Sequence, residues 1–382
     1  MCSSDLSLKT VTFGDESSVV SNTAASIISI VLIFVLWGAF TGSKLLPSFI
    51  HVPGPFEGEG TFTYTSTLPD GTTDDAQVTV LVHPVGEDVA DPVVEAGDGF
   101  AKNDSMTIGS YRSALIRVAD NDDTTRGDGA VITAINGKPI VPSENVKIDF
   151  GQVSMTPKGT LNVQPSTGWQ MEPIWLPSPE AVWKRLGEIA TDGYRNSTLA
   201  EHLGFSLFRV IVGFILGSIV GIPLGYAMGL SSWFRGWFDP IVEFMRPVPP
   251  LALIPLVIIW AGIGEVGKII LLFLAALWIM AIAARSGVSG VRISKVHAAY
   301  SLGASKWQIM RYVIIPNSLP EIFTGARVAM GVCWGTVVAA ELVAAEKGAG
   351  MMIMVASKFQ STDIVLMGII LIGIIGFSID ML

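Results

Sequence analysis

Apolar residues in this chain gather into long blocks separated by polar stretches of very different character. The first block, residues 17–43, contains no charged residue and holds the run Ala24–Phe40. A helix needs roughly 20 apolar residues to cross a bilayer, so this block predicts a spanning helix. It is too long for the core of a signal peptide and lacks a convincing cleavage site, which makes it a retained anchor. Further blocks lie at about 205–229, 248–263, 269–284, 322–345 and 364–380, giving six predicted spans. The block 269–284 is short and bounded by Lys268 and Arg285, both placed to reach the interfaces along their aliphatic stems. Arg209 and Arg327 are read as lying near span ends, where the same snorkelling serves. Glu341 stands among small apolar residues at the outer end of the fifth span. It is expected to meet a substrate ammonium, a partner residue, or a cation within the protein.

Residues 48–172 follow another pattern. Thr61–Thr67 and Gln77–His83 alternate or run in β-favouring residues, with Asp70-Gly71 between them as a turn signal. Ala130–Ile135, Asn136-Gly137 and Lys138–Ile140 form a second strand–turn–strand pattern. The segment predicts a small β-sandwich or barrel-like domain. After it, Ser178, Pro179 and Glu180 carry the marks of a helix start. They open an amphipathic helix from about 179 to 190, with Val182, Leu186 and Ile189 on one face, expected to lie on the outer membrane surface.

Composition sharpens this. Half of the 382 residues are hydrophobic and 15% are charged, with 40 Gly and 10 Trp. Both of those residue types are enriched in or beside spanning helices. Between Lys44 and Glu201 there are 22 acidic residues against 11 basic ones, whereas Arg285–Pro320 holds five basic residues and no acidic one. Short basic loops stay cytoplasmic, so 285–320 is placed inside, 44–204 outside, the loop 230–246 inside, and both chain ends inside. The acidic balance argues against a nucleic-acid partner. The chain stops at Leu382, at the end of the last block, where a basic tail is expected; that reads as a truncated end. The two cysteines, Cys2 and Cys333, are placed too differently to pair, and the external segment has none, so it must fold without disulfides.

Three local features suggest mechanics. Gly213, Gly217, Gly221 and Gly225 repeat on one helix face, which allows close helix approach. Arg246-Pro247-Val248-Pro249-Pro250 and Pro255 predict either a broken helix lining protein or a water-filled cavity, or a capped straight one. Asp120–Asp128 has a calcium-loop composition but lacks the closing Glu, so it reads as a solvated acidic turn, and no metal site is assigned. The four histidines have no metal spacing, no catalytic constellation is visible, and there is no phosphate-binding Gly-rich loop. This predicts a chain without an active site of its own.

The segment from His297 to Pro316 carries most information. Two small residues, Ala298 and Ala299, precede Gly303 by four positions, and an apolar run ends in Val313, Ile315 and Pro316. It resembles the cytoplasmic loop by which permease subunits of bacterial ABC importers dock onto their ATPase. His297 replaces the Glu of that pattern. Ala298, Ala299, Gly303 and Ala304 would form a small face that sits in a groove of the ATPase, and Pro316 would end the following helix before the next span. Asp239–Gly264, Ser301–Ser305, Leu319–Arg327 and Trp334–Ala345 resemble the nitrate/sulfonate/bicarbonate branch of the same family, and most of all its taurine-type members. The resemblance covers about 20–46 weakly and 173–380 strongly, and leaves out the segment at about 48–172.

The resemblance implies an all-α membrane protein of the type I ABC importer permease kind, with an inserted β-rich periplasmic domain. The parts would be residues 1–47 with the first span, the insert 48–172, and the permease core 173–382 containing the coupling loop 285–320. It implies a homodimer in the bacterial inner membrane, working with a separate ABC ATPase subunit and a periplasmic substrate-binding protein. ATP would be bound by the partner, and this chain would carry no cofactor. The implied cargo is taurine or another alkanesulfonate, with nitrate, bicarbonate or a pyrimidine precursor as rivals. Arg246, Pro247, Pro250, Pro255 and Glu341 are candidates for the translocation path. A membrane-anchored surface-binding or sensor protein using the β-insert is the reading from another class; it leaves the later spans and the coupling loop unexplained.

Overall fold

The computed structural model describes residues 23–87, 89–123 and 129–381. Cys2 and residues 124–128 of the acidic turn lie outside the described residues. The chain divides into two compact units, Met1–Glu180 and Ala181–Leu382.

The first described element of the first unit is helix α1, Thr23–Thr41, uncharged throughout with Gly38 and Ala39 buried. Nine strands follow: β1 Gly58–Thr67, β2 Thr73–His83, β3 Asp104–Gly109, β4 Ala114–Ile116, β5 Val131–Ile135, β6 Lys138–Pro139, β7 Asn145–Ile148, β8 Gly151–Met155 and β9 Leu161–Pro165. They form a five-stranded sheet, β3-β2-β1-β5-β6, and a four-stranded sheet, β4-β9-β8-β7. Every described pairing is antiparallel except β2 with β3. Alternation along the strands puts one face inside. Phe62 and Tyr64 of β1 meet Val78 and Val80 of β2, Ile135 of β5, Val153 of β8, and Leu161 and Val163 of β9 in one core.

Both turn signals are realised. Gly71 adopts φ +88° and Asp70 Oδ1 accepts the Thr72 N–H at 2.8 Å. Asn136 and Gly137 have φ of +47° and +70°, as a two-residue hairpin requires. Asn136 Oδ1 also accepts the Thr63 N–H at 2.8 Å, fixing that hairpin to β1. At the base of the sandwich the two passages of the chain are tied together. Ser43 Oγ donates to Glu180 at 2.6 Å, Trp37 Nε1 to Pro177 O at 2.9 Å, and the Met171 N–H to Phe40 O at 2.8 Å.

The second unit is helical. Its helices are α2 Pro179–Asp192, α3 Leu199–Leu230, α4 Ser232–Met245, α5 Ile254–Ala261, α6 Glu265–Ser289, α7 Ile293–Ser301, α8 Lys306–Ile309, α9 Ile315–Ala344, α10 Ala349–Lys358 and α11 Thr362–Met381. On α2, Val182 and Ile189 are buried. Counting α1, five helices among the described residues are long and apolar enough to cross a membrane, or six if the bent pair α4–α5 is one span. That pair corrects the predicted third span. Residues 232–245 are a helix, not a loop, and turn by 95° into Pro250–Ala261. Pro247, Pro249 and Pro250 lack the N–H groups that would carry the helix through.

The repeated glycines place α3 and α6 side by side. A Cβ built on Gly213 would lie 2.4 Å from the Leu272 Cβ, and one on Gly229 2.7 Å from the Val288 Cβ. The contact register rises in step, so the two helices run parallel and end on the same side. Val242 of α4 packs with Met228 and Ala281, near those ends; Val257 of α5 packs with Leu271 and Ala340, farther back. The bent pair therefore carries the chain from one side of the bundle to the other.

Candidate coupling knuckle and charged helix junction

Two sites sit at opposite ends of the helical unit. The first joins α6 to α9. Helix α7 ends in a tight cap. Gly303 adopts φ +83°, its N–H reaches Tyr300 O at 3.0 Å, and the Ala304 N–H reaches Ala299 O at 3.1 Å. That pair of bonds around a left-handed glycine is the Schellman arrangement. Ser305 then starts the next helix. Its Oγ accepts the Gln308 N–H at 3.3 Å, and Gln308 Oε1 accepts the Ser305 N–H at 2.8 Å. The result is a rigid knuckle between helix α7 and the helical run that starts at Lys306.

His297, Ala298 and Gly303 are exposed there, while Ala299 and Ala304 are half-buried. Large apolar side chains stand out around them: Leu302 is 88% exposed, and Tyr300, Trp307 and Tyr312 are each about two-thirds exposed. An apolar cluster of this kind marks an interaction surface. The sequence reading singled out the small residues and missed these large ones, although they lie within the same segment.

Pro316 does not end a helix. It is near the start of α9, and one continuous helix runs from Lys306 to Val343. A π-helical stretch at Met310–Ile314 directly precedes it. That wider turn accommodates a residue with no N–H to donate to the turn before.

The second site lies at the other end. Arg209 of α3 is 1% exposed, so it does not snorkel as expected. Its guanidinium holds Glu265 of α6 through two bonds, 2.6 and 2.7 Å, and Glu341 of α9 at 2.6 Å. Lys347 O accepts a further bond at 2.8 Å. Lys268, also expected to snorkel, is buried and reaches Glu265 at 2.9 Å. Glu341 is fully buried, and its oxygens are taken up inside the chain by Arg209, Ser206 at 2.8 Å and the Gly350 N–H at 3.0 Å. The ion pair within the protein is thus the reading that its geometry favours over contact with a substrate. His202 Nδ1 accepts the Gly348 N–H at 3.2 Å, which leaves Nε2 to donate to Tyr194 O at 3.0 Å. Gly348 has φ +144°, and a Cβ there would lie 2.4 Å from Glu341 Cδ. Glycine is needed to let the backbone come so close. Glu265, His202 and Gly348 escaped the sequence reading. A single base on one span and a single acid on another was the available signal.

The remaining path candidates lie at the bend. Arg246 caps α4, exposed, 3.8 Å from Glu243; Pro247 and Pro255 are exposed and Pro250 half-buried. Arg285, expected to snorkel, is mostly buried; it pairs with Asp239 and, at 2.6 Å, with Glu243. Among the described residues no group of three or more His, Cys, Asp or Glu could hold a metal ion.

Residues 201–382 match the family described as the binding-protein-dependent transport system inner membrane component. The chain is 46% identical to the taurine transport system permease protein TauC of Escherichia coli (strain K12), over 58% of this chain and 84% of that protein. A second permease protein of that organism, SsuC, named for aliphatic sulfonates, is 40% identical over 56% of this chain and 80% of its own length. Among solved structures, an inward-facing form of the MetNI methionine ABC transporter covers 48% of this chain and 91% of its own, at 20% identity and a TM-score of 0.43.

Proposed function

The chain belongs to the binding-protein-dependent transport system inner membrane components, as the permease subunit of an ABC importer, and we propose that its cargo is taurine or another small alkanesulfonate. The cargo assignment rests on the relatives named for taurine and aliphatic sulfonates. A permease of this type works beside an ABC ATPase and a periplasmic substrate-binding protein. This chain acts as a homodimer that binds no cofactor itself, and ATP is held by the partner ATPase.

One observation carries the mechanism: the unbroken helix from Lys306 to Val343. At its near end stands the knuckle, with His297, Ala298, Ala299, Gly303 and Ala304 set among exposed Tyr300, Leu302 and Trp307. At its far end Glu341 is locked to α3 and α6 through Arg209. A helix of this length is about 57 Å long at 1.5 Å per residue. A push by the ATPase on the knuckle therefore moves the opposite end of the bundle as one lever. The β-domain stands in the periplasm, since long acidic segments cross while short basic loops stay inside. Arg246, Pro247, Pro250 and Pro255 border the path, at the bend where regular backbone ends.

The test is reconstitution. The permease is placed in proteoliposomes with its ATPase and binding protein, and labelled taurine uptake is followed with and without ATP. ATP-dependent uptake is expected. Uptake of nitrate or bicarbonate in place of any alkanesulfonate would refute the cargo assignment.

A further inference from the structure

Of the four cations in or immediately bordering the predicted spans, three are neutralised within the described residues. Arg209, Lys268 and Arg285 each hold a carboxylate. Arg327 on α9 has no ion pair or hydrogen bond among the described residues. It lies near the start of the apolar block 322–345, as expected, and within the longer helix Lys306–Val343. Its depth follows from neighbours on α6. A Cβ on Gly325 would meet Ala283, and Cys333 Sγ lies 3.6 Å from Leu272 O. Arg327 is therefore level with the last turn of the uncharged run 269–284 of α6, the turn before Arg285. A charge at that depth is costly unless it faces a counter-charge or a water-filled space.

Arg327 is exposed and borders an open groove. A cavity of about 550 Å³ lies between α3, α9 and α11, walled by Ile211, Phe214, Phe323, Met330 and Ile379, with Arg327 the charged member of its lining. Asp380, the residue after Ile379, makes no ion pair with it. One and two turns further along α9, Gly331 and Gly335 are exposed, and a Cβ on either would meet nothing within 4 Å. The helix face beside the arginine is bare backbone, open to a small molecule.

We propose that Arg327 is the site at which the anionic end of the cargo, a sulfonate, is held during passage through the permease. The inference deepens the importer reading above and rests on it. A guanidinium presents a planar fork of donors that matches paired oxygens of an oxyanion. The other three span cations are engaged by resident carboxylates, so the fourth is left for a charge that arrives and departs. The apolar walls suit the short alkane portion of the cargo.

The experiment uses the complete transporter in proteoliposomes, in a Cys2→Ser, Cys333→Ala parent. Arg327→Cys is expected to lower taurine uptake at least about ten-fold, as loss of one partner of a desolvated charge pair does. Treatment with a cationic thiosulfonate reagent puts a positive charge back and is expected to restore uptake. The sulfonated reagent of similar size is expected not to. Arg327→Lys, which keeps the charge but loses the fork, is expected to give a rate between those of Arg327→Cys and the parent. Uptake at the parental rate in Arg327→Cys would overturn the proposal, and so would equal rescue by both reagents, or Arg327→Lys as inactive as Arg327→Cys with neither reagent rescuing. Dissociation of the dimer in Arg327→Cys, restored along with uptake by the cationic reagent, would assign the charge to a second copy of the chain and overturn it too. A parent that imports no alkanesulfonate refutes the cargo assignment instead, before any Arg327 variant is made.

Discussion

At the scale of single residues, the bundle depends on how buried charges are matched. Glu341 and Arg209 are each at most 1% exposed and share a 2.6 Å contact. Removing one partner of a buried pair strands the other and costs about 3–5 kcal/mol. Glu341→Gln is therefore expected to lower the thermal melting point of the detergent-solubilised protein sharply. Replacing Glu265, which is half exposed, is expected to cost less. Equal effects from both would contradict the ranking. The β-domain has the opposite sensitivity. Burial, and then the neighbouring Asp122 carboxylate, push Asp104 up to about 7, while its Oδ2 is buried without a partner among the described residues. The folded state keeps this proton to a higher pH than the unfolded chain does. Stability of the β-domain should then be highest in acid and fall as pH rises from about 4 towards 7. Melting of residues 55–170 across that range checks it, and Asp104→Asn is expected to flatten the decline.

At the scale of elements, the α3–α6 contact and the knuckle are the parts most tightly specified. Gly217 has Ala276 Cβ 2.6 Å and Phe273 O 2.8 Å from where its own Cβ would be. Because that neighbour is backbone, a side chain there must push the helices apart, at a cost of about 1–3 kcal/mol or more. Gly217→Leu is expected to abolish stable expression, whereas Gly331→Leu, facing open space, is expected to be tolerated in folding. The four-residue glycine spacing was legible as close packing because it is a property of one helix. The hairpin at Asn136-Gly137 was legible for the same reason. What escaped the sequence depended on groups far apart along the chain. Arg209 looks like an interfacial residue until Glu265 and Glu341 are brought beside it. Pro316 looks like a helix stop until the π-helical turn before it is seen to absorb the missing bond. The bend at Pro247–Pro250 stayed ambiguous because a proline cluster serves equally to cap one helix or to break a longer one.

At the scale of the whole molecule, the charge pattern and the bundle make one statement. The basic segment 285–320 follows the ends of the parallel α3 and α6, and Arg209 and Glu265 lie at their opposite ends. Single cysteines at Asp123 and at Ser305, in a background without Cys2 and Cys333, are expected to label from opposite faces of the membrane. Labelling of the Ser305 variant by an impermeant reagent in intact cells would reverse the orientation. The central claim is that the knuckle passes the motion of the ATPase into the bundle, and Gly303 tests it most directly. Any side chain there is strained at φ +83°, but a Cβ there meets no other atom of this chain within 4 Å. Gly303→Ala and Gly303→Phe therefore share the backbone strain and differ in the bulk offered to a docked partner. ATP-driven uptake in proteoliposomes is expected to survive in the alanine variant and to be lost in the phenylalanine variant, with both inserted normally. Equal uptake by the two would show that no ATPase groove closes on this face.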